Sequence, residues 1–237
     1  MTDRRTELAG RLDRVNARIA DACAAAGRDP AAVTLVVVTK TYPASDVGLL
    51  AGLGVRDVGE NKDQEAAAKH AESAGLGSTA VKGLRWHFIG RLQSNKARSV
   101  AGYADLVHSI DRLSLVPALD RAADRHDRRL PCLLQVSLDG DPDRGGVLVD
   151  GLPALAESVA AAPALDLEGI MAVAPLGADP AAAFARLPAL LDVVRGFAPG
   201  AGVISAGMSG DLEAAVASGA THLRVGSAIL GTRPTLR

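Results

Sequence analysis

Eight short runs rich in Val, Ile and Leu recur along this chain, and most are followed by a stretch with helical periodicity. Strand patterns fall at 33–39, 55–59, 85–89, 105–109, 131–137, 166–173, 202–206 and 221–225. Helical patterns lie between them, at 43–53, 61–74, 94–101, 112–127, 148–161, 180–197 and 210–219. Such alternation implies a parallel sheet, because each helix returns the chain to the end where the next strand starts. Eight repeats predict a (β/α)8 barrel of the TIM type. An extra helix precedes it: Leu8, Leu12, Val15, Ile19 and Cys23 share one helical face, and Gly27 and Pro30 end it. This segment, 1–27, is expected to pack on the barrel. A doubly wound open sheet is the alternative, but it usually shows a Gly-rich fingerprint after its first strand. Here that position holds Thr39-Lys40-Thr41-Tyr42. With no linker or break in composition, 1–237 reads as a single domain.

Charge narrows the partners. Lysines and arginines number 26 against 27 acidic residues, with no basic stripe or acidic tail, so neither nucleic acid nor an anionic membrane is an expected partner. No apolar run approaches a membrane span. The N-terminus mixes Asp3, Glu7 and Asp13 with arginines and lacks the apolar core of a leader peptide. Cys23 and Cys132 lack paired spacing and read as free thiols of a reducing compartment. A cytoplasmic protein is expected.

Functional groups of a barrel collect at the carboxyl ends of its strands. Lys40 stands there after the first strand, at the rim of a core where desolvation favours the neutral, nucleophilic amine. A lysine that merely emerges into solvent is the plain alternative. The loops after strands seven and eight are the usual phosphate sites of barrels. Ser205-Ala206-Gly207-Met208-Ser209-Gly210 offers small residues and two hydroxyls there. Arg224, expected at the pocket rim, and Gly226-Ser227 add a guanidinium, a flexible N–H and a third hydroxyl. Asp211 and Glu213 fit poorly with this reading, since both would repel a phosphate unless they point away. A Schiff-base lysine opposite a phosphate cradle suits pyridoxal 5′-phosphate (PLP). A class I aldolase acting on a sugar phosphate is the alternative. It needs an acid or base near the imine, for which Glu60 is the nearest candidate by position, although capping the following helix is the more ordinary role for it. Asn61, at the end of the neighbouring strand, could hydrogen-bond the ring substituents. No histidine–carboxylate spacing suggests a metal.

The segment Trp86-His87-Phe88-Ile89-Gly90-Arg91-Leu92-Gln93-Ser94-Asn95-Lys96 resembles the signature of the pyridoxal phosphate homeostasis protein family, stand-alone barrels related to the N-terminal domain of alanine racemase. Supporting matches are Val37–Thr41, Gly59-Glu60-Asn61, His108–Asp111, Gly169-Ile170-Met171, Gly207-Met208-Ser209 and Arg224–Ser227, within a span of about 33–233. The resemblance implies that Lys40 carries PLP as an internal aldimine. It also implies that Ser209 with neighbouring backbone, and Gly226-Ser227, hold the phosphate. Arg224 would face either the phosphate or the pyridine nitrogen. The chain departs from the family pattern at Thr39, Ala206 and Leu230, which read as packing changes. It departs also at Arg144, where many members carry lysine; an arginine cannot form a Schiff base. His87 alternates with Trp86 and Phe88 along its strand and should face the other side, as a satisfied core histidine or a cofactor contact.

A racemase needs a second acid/base group on the far face of the cofactor. In the racemase relatives this is a tyrosine from an added C-terminal domain. The tyrosines here are Tyr42, beside Lys40, and Tyr103, before the fourth strand. The expected role is therefore PLP binding and supply, with transient contact to apo-enzymes, by a monomer without amino-acid turnover. A small racemase-like PLP enzyme is the alternative.

Overall fold

The structure, a computed structural model, describes residues 3–141 and 144–231. The outermost ends of the single-domain reading, and residues 142–143, lie outside the described residues. Eight parallel strands close into a barrel in chain order: β1 Thr34–Val38, β2 Asp57–Glu60, β3 Arg85–Phe88, β4 Leu106–Ile110, β5 Leu130–Gln135, β6 Leu165–Met171, β7 Val203–Ser205 and β8 His222–Val225. Closure is made by β1 against β8, with Val36 beside Arg224 and Val37 beside Val225. The expected barrel is the observed one.

The helices are α1 Arg4–Ala25, α2 Ala44–Gly52, α3 Asp63–Gly75, α4 Thr79–Lys82, α5 Ala97–Tyr103, α6 Val116–Asp124, α7 Leu152–Ala160, α8 Pro180–Phe184, α9 Leu187–Arg195, α10 Leu212–Ala217 and α11 Ser227–Leu230. The pattern over 180–197 predicts one helix, and the structure forms two. Pro188 occupies the first turn of α9, where its missing N–H is tolerated, so the chain restarts there. The short turns α4 and α11 are too brief to register as periodicity.

Alternation along the strands sorts the side chains into two layers. Val37, Val58, Trp86, Phe88, Val107 and Leu223 point outward and join the main apolar core beneath the helices. The inside holds a small apolar cluster, Leu106, Leu133 and Met171. Polar groups fill much of the remaining interior: Asp57, His87, His108, Ser205 and Arg224 are all buried. Helix α1 lies across α10, α11 and α2, burying Leu8, Leu12, Val15, Ile19 and Cys23 as the pattern predicts. Arg28 ties its end down by donating to the Val216 carbonyl at 2.7 Å.

Candidate functional site

Strand β1 ends at Val38, and the next residues form a clamp. The Thr39 N–H donates to the Gly59 carbonyl at 3.0 Å, and the Tyr42 N–H turns back to the Thr39 carbonyl at 3.1 Å. Between them Thr41 takes a left-handed φ of +69°, an unfavourable conformation for a β-branched residue and one that surroundings must impose. Buried Lys69 of α3 supplies much of that constraint. Its ammonium donates to the Thr39 carbonyl at 2.8 Å and to Glu60 Oε1 at 2.6 Å. The Thr39 hydroxyl donates to the same carboxylate oxygen at 2.6 Å. Thr39 thus keeps a hydrogen-bonding hydroxyl and is more than a packing change. Glu60 points out of the barrel toward α3, so it is the counter-ion of this clamp and not an acid or base beside Lys40.

Lys40 is half-buried and opens on a cavity of about 340 Å3 at the carboxyl end of the barrel. Tyr42, Met208, Ser209, Arg224, Gly226 and Ser227 share its walls. Elements distant in sequence thus bring together six of the nine expected site residues: Lys40, Met208, Ser209, Arg224, Gly226 and Ser227.

At the mouth of the cavity the loops after β7 and β8 meet. Ser227 and Ser209 hydroxyls lie 3.2 Å apart, and the Ala228 N–H reaches Ser209 Oγ at 3.4 Å. Gly226 passes so close to β1 that an added Cβ would lie 3.2 Å from the Val38 carbonyl oxygen. The acidic pair is accounted for. Asp211 accepts the Met208 N–H at 2.5 Å, which occupies that amide within the loop. Glu213 turns away to Arg18 of α1, at 2.9 and 3.0 Å.

Arg224 corrects an expectation. It is not at the rim but only 4% exposed, at the floor of the cavity. One terminal nitrogen donates to Ser205 Oγ at 2.6 Å and the other to the Ala172 carbonyl at 2.9 Å. Burial draws its pKa down to about 10, with Asp211 opposing, so it stays charged at neutral pH.

Three expected residues stand elsewhere. Ser205 is fully buried inside the barrel, bonded to Arg224 rather than lining the cavity. Gly207 is buried with a φ of +91°, and an added Cβ would lie 2.6 Å from Ala215 Cβ; it shapes the loop and is not a cavity residue. Asn61 lines a neighbouring cavity of about 610 Å3 with Phe88, Arg91, Gln93, Lys96 and Arg112. The signature after β3 divides accordingly. Trp86 and Phe88 enter the outer core, and an added Cβ on Gly90 would lie 2.0 Å from the Asn61 carbonyl oxygen.

His87 faces inward as its alternation predicts. Its Nε2 lies 2.8 Å from Asp57 Oδ1, and its Nδ1 lies 2.9 Å from His108 Nε2. His108 Nδ1 in turn lies 2.9 Å from Ser205 Oγ. Burial, with help from the neighbouring charges, pushes His108 well below its ordinary pKa and takes His222 to about 4. Burial would raise Asp57, but hydrogen bonds from His87 and Arg85 outweigh it and hold the carboxylate below its usual range. Arg144 fixes its own loop, donating to the Ala174 carbonyl at 2.5 Å and pairing with Asp139 at 3.4 Å.

Sequence reasoning missed the roles of Lys69, Asp57 and His108. Lys69 had a signal: Ala66, Lys69 and Ser73 lie on the buried face of α3, and a lysine there requires a carboxylate partner. Among the described residues no group of histidine, cysteine and carboxylate side chains could hold a metal ion. Nor is any helix among them long and apolar enough to cross a membrane.

A barrel with a lysine at the end of β1 and paired serine-bearing loops after β7 and β8 is one class of molecule: the family model of the alanine racemase N-terminal domain matches residues 11–234. Within it the likeness is narrower. A protein of Mycobacterium tuberculosis named pyridoxal phosphate homeostasis protein is 44% identical over 246 residues, covering 98% of this chain and 95% of that protein. The protein of the same name from Escherichia coli is 38% identical over 240 residues, covering 96% and 97%. The solved structure of PipY from Synechococcus elongatus with PLP bound superposes with a TM-score of 0.82 at 34% identity, covering 94% of this chain and all of that one. The chain belongs to the pyridoxal phosphate homeostasis protein family.

Proposed function

We propose that this protein binds PLP through a covalent bond between Lys40 and the cofactor aldehyde, and acts in PLP homeostasis and supply rather than in amino-acid turnover. The observation that carries the reading is the single cavity joining Lys40 to the Ser209–Ser227 cradle, with charged Arg224 at its floor. The residues fit the group. The mouth offers two hydroxyls and amides of the opening turn of α11 to a phosphate, while Gly226 lets this turn pack closely on Val38 of β1. Arg224 lies deeper than the exposed Ser227 and would face the ring rather than the phosphate. The bound cofactor supplies an aldehyde and an electron-withdrawing ring. The protein's part is to hold Lys40 at a fixed place through the Thr39–Glu60–Lys69 clamp and to bind the two ends of the ligand.

A binding role is favoured over a racemase because the nearby phenol is committed. The Tyr42 hydroxyl donates to the Gly231 carbonyl at 2.9 Å, and Arg4 lies over its ring. Both cysteines are buried thiols, in keeping with a reducing, cytoplasmic setting. We take the protein to act as a monomer that meets recipient apo-enzymes transiently. The test is uptake of PLP, followed by its absorbance, together with assays of D- and L-alanine racemisation. Uptake with racemisation no faster than for free cofactor is the expected result. Steady turnover lost on Lys40→Ala contradicts the carrier reading, and if Tyr42→Phe abolishes it too, Tyr42 is the acid.

A further inference from the structure

The polar string inside the barrel runs from one mouth to the other. Arginine only donates hydrogen bonds and a carboxylate only accepts them, while the histidines and the serine between them can do either. Arg224 donates to Ser205 Oγ at 2.6 Å. Ser205 Oγ in turn lies 2.9 Å from His108 Nδ1. His108 Nε2 lies 2.9 Å from His87 Nδ1. His87 donates from Nε2 to Asp57 Oδ1 at 2.8 Å. Both ring nitrogens of each histidine are engaged. Asp57 is anchored at the far mouth of the barrel by Arg85, whose Nε lies 2.7 Å away. The string passes through β2, β3, β4, β7 and β8, and its members are buried throughout.

We propose that Asp57, His87, His108 and Ser205 are positioning residues for the cofactor site, holding the Arg224 guanidinium in one orientation as a fixed charged donor at the floor of the Lys40 cavity. The proposal rests on the PLP-binding reading above. A long arginine side chain loses rotamer freedom when it binds a ligand; one already held by Ser205 and the Ala172 carbonyl has lost it on folding. The remaining guanidinium N–H groups are then presented at a defined place. Chains of hydrogen bonds in a low-dielectric interior also polarise one another, so the carboxylate at one mouth strengthens the donor at the other.

The test compares broken and repaired strings. Ser205→Ala removes the acceptor of Arg224 and Ser205→Thr restores a hydroxyl. His87→Leu cuts the string farther from the site, whereas His87→Gln keeps one acceptor and one donor. Each purified protein is titrated with PLP, its absorption band is recorded, and folding is checked by circular dichroism and thermal unfolding. Ser205→Ala and His87→Leu should weaken affinity by about 10-fold or more and shift the band of the bound cofactor. Ser205→Thr and His87→Gln should return the wild-type band and most of the affinity. Wild-type affinity and band in folded Ser205→Ala overturn the proposal, as does a loss that Ser205→Thr shows equally. If His87→Leu does not fold, the Ser205 pair decides. Failure of the wild-type protein to take up PLP refutes the binding reading itself, whereas uptake that every variant matches refutes only the positioning role.

Discussion

Lys69→Met should be among the most damaging single changes outside the apolar core. Lys69 is 8% exposed and Glu60 1%, and their charged atoms lie 2.6 Å apart. The same ammonium holds the Thr39 carbonyl at 2.8 Å. Removing it leaves a buried carboxylate with only the Thr39 hydroxyl for company, and Glu60 Oε2 has no hydrogen-bond partner among the described residues to begin with. Breaking one side of a buried ion pair costs about 3–5 kcal/mol, a large share of the ~5–15 kcal/mol that holds a domain folded. With a urea slope of about 2–3 kcal/mol/M, the midpoint should fall by about 1–2 M. Trp86, the single tryptophan and a buried one, reports the transition by fluorescence. Glu60→Gln in the Lys69→Met background removes the stranded charge and should recover part of the loss. The freed Thr39 carbonyl should also loosen the turn that carries Lys40, so PLP affinity should fall in the folded fraction. A loss below ~1 kcal/mol, or a double variant as unstable as the sum of the singles, would refute the account of the clamp.

Gly226→Val should abolish PLP uptake while sparing the fold, because its Cβ would press on Val38 at the mouth of the cavity and φ at this residue is an ordinary −116°; unchanged uptake in a titration contradicts the cradle. Stability should fall on acidification through the histidines of the barrel interior. His108 and His222 are depressed in the folded protein, His222 to about 4, so neither contributes a pH dependence above ~6.5, and between ~6.5 and ~4 the unfolded chain binds protons that the folded one refuses, at up to about 1.4 kcal/mol per pH unit and histidine. Urea unfolding at pH 7 and pH 5 checks this, and equal stability at both contradicts it. Cys132 is buried with its pKa raised by that burial and by nearby Asp166 and Glu168, so a thiol reagent should label it only on unfolding; rapid labelling of the native protein would place it wrongly.

The barrel was legible because its signal repeats: each of the eight strand patterns coincides with an observed strand, with bounds displaced by a residue or two. Strand ends were legible for the same reason, which is why Lys40, Ser209, Arg224, Gly226 and Ser227 were found together. The inward direction of His87 followed from period-two alternation with Trp86 and Phe88. What failed was depth and register across strands. Ser205 and Ser209 belong to one loop in sequence, yet Ser205 is the last inward residue of β7 and Ser209 lies beyond the turn. Arg224 looks like a rim residue until the pairing Val36–Arg224 sets it inside the closed barrel. Asn61 lies next to the Lys40 strand but opens on the adjacent cavity. The links among Asp57, His87, His108 and Ser205 join residues up to 97 apart in the chain, and no local pattern encodes them.

The central claim is that Lys40 is the residue to which PLP becomes bonded. The direct measurement is borohydride reduction of the PLP-loaded protein followed by proteolysis and mass mapping of the pyridoxyl-phosphate group. The chain has four other lysines, Lys62, Lys69, Lys82 and Lys96, so the map is short. The cavity predicts the label on the Lys40 peptide, with the label lost in Lys40→Ala. A label carried mainly by one of the other four, or unchanged in Lys40→Ala, would contradict it.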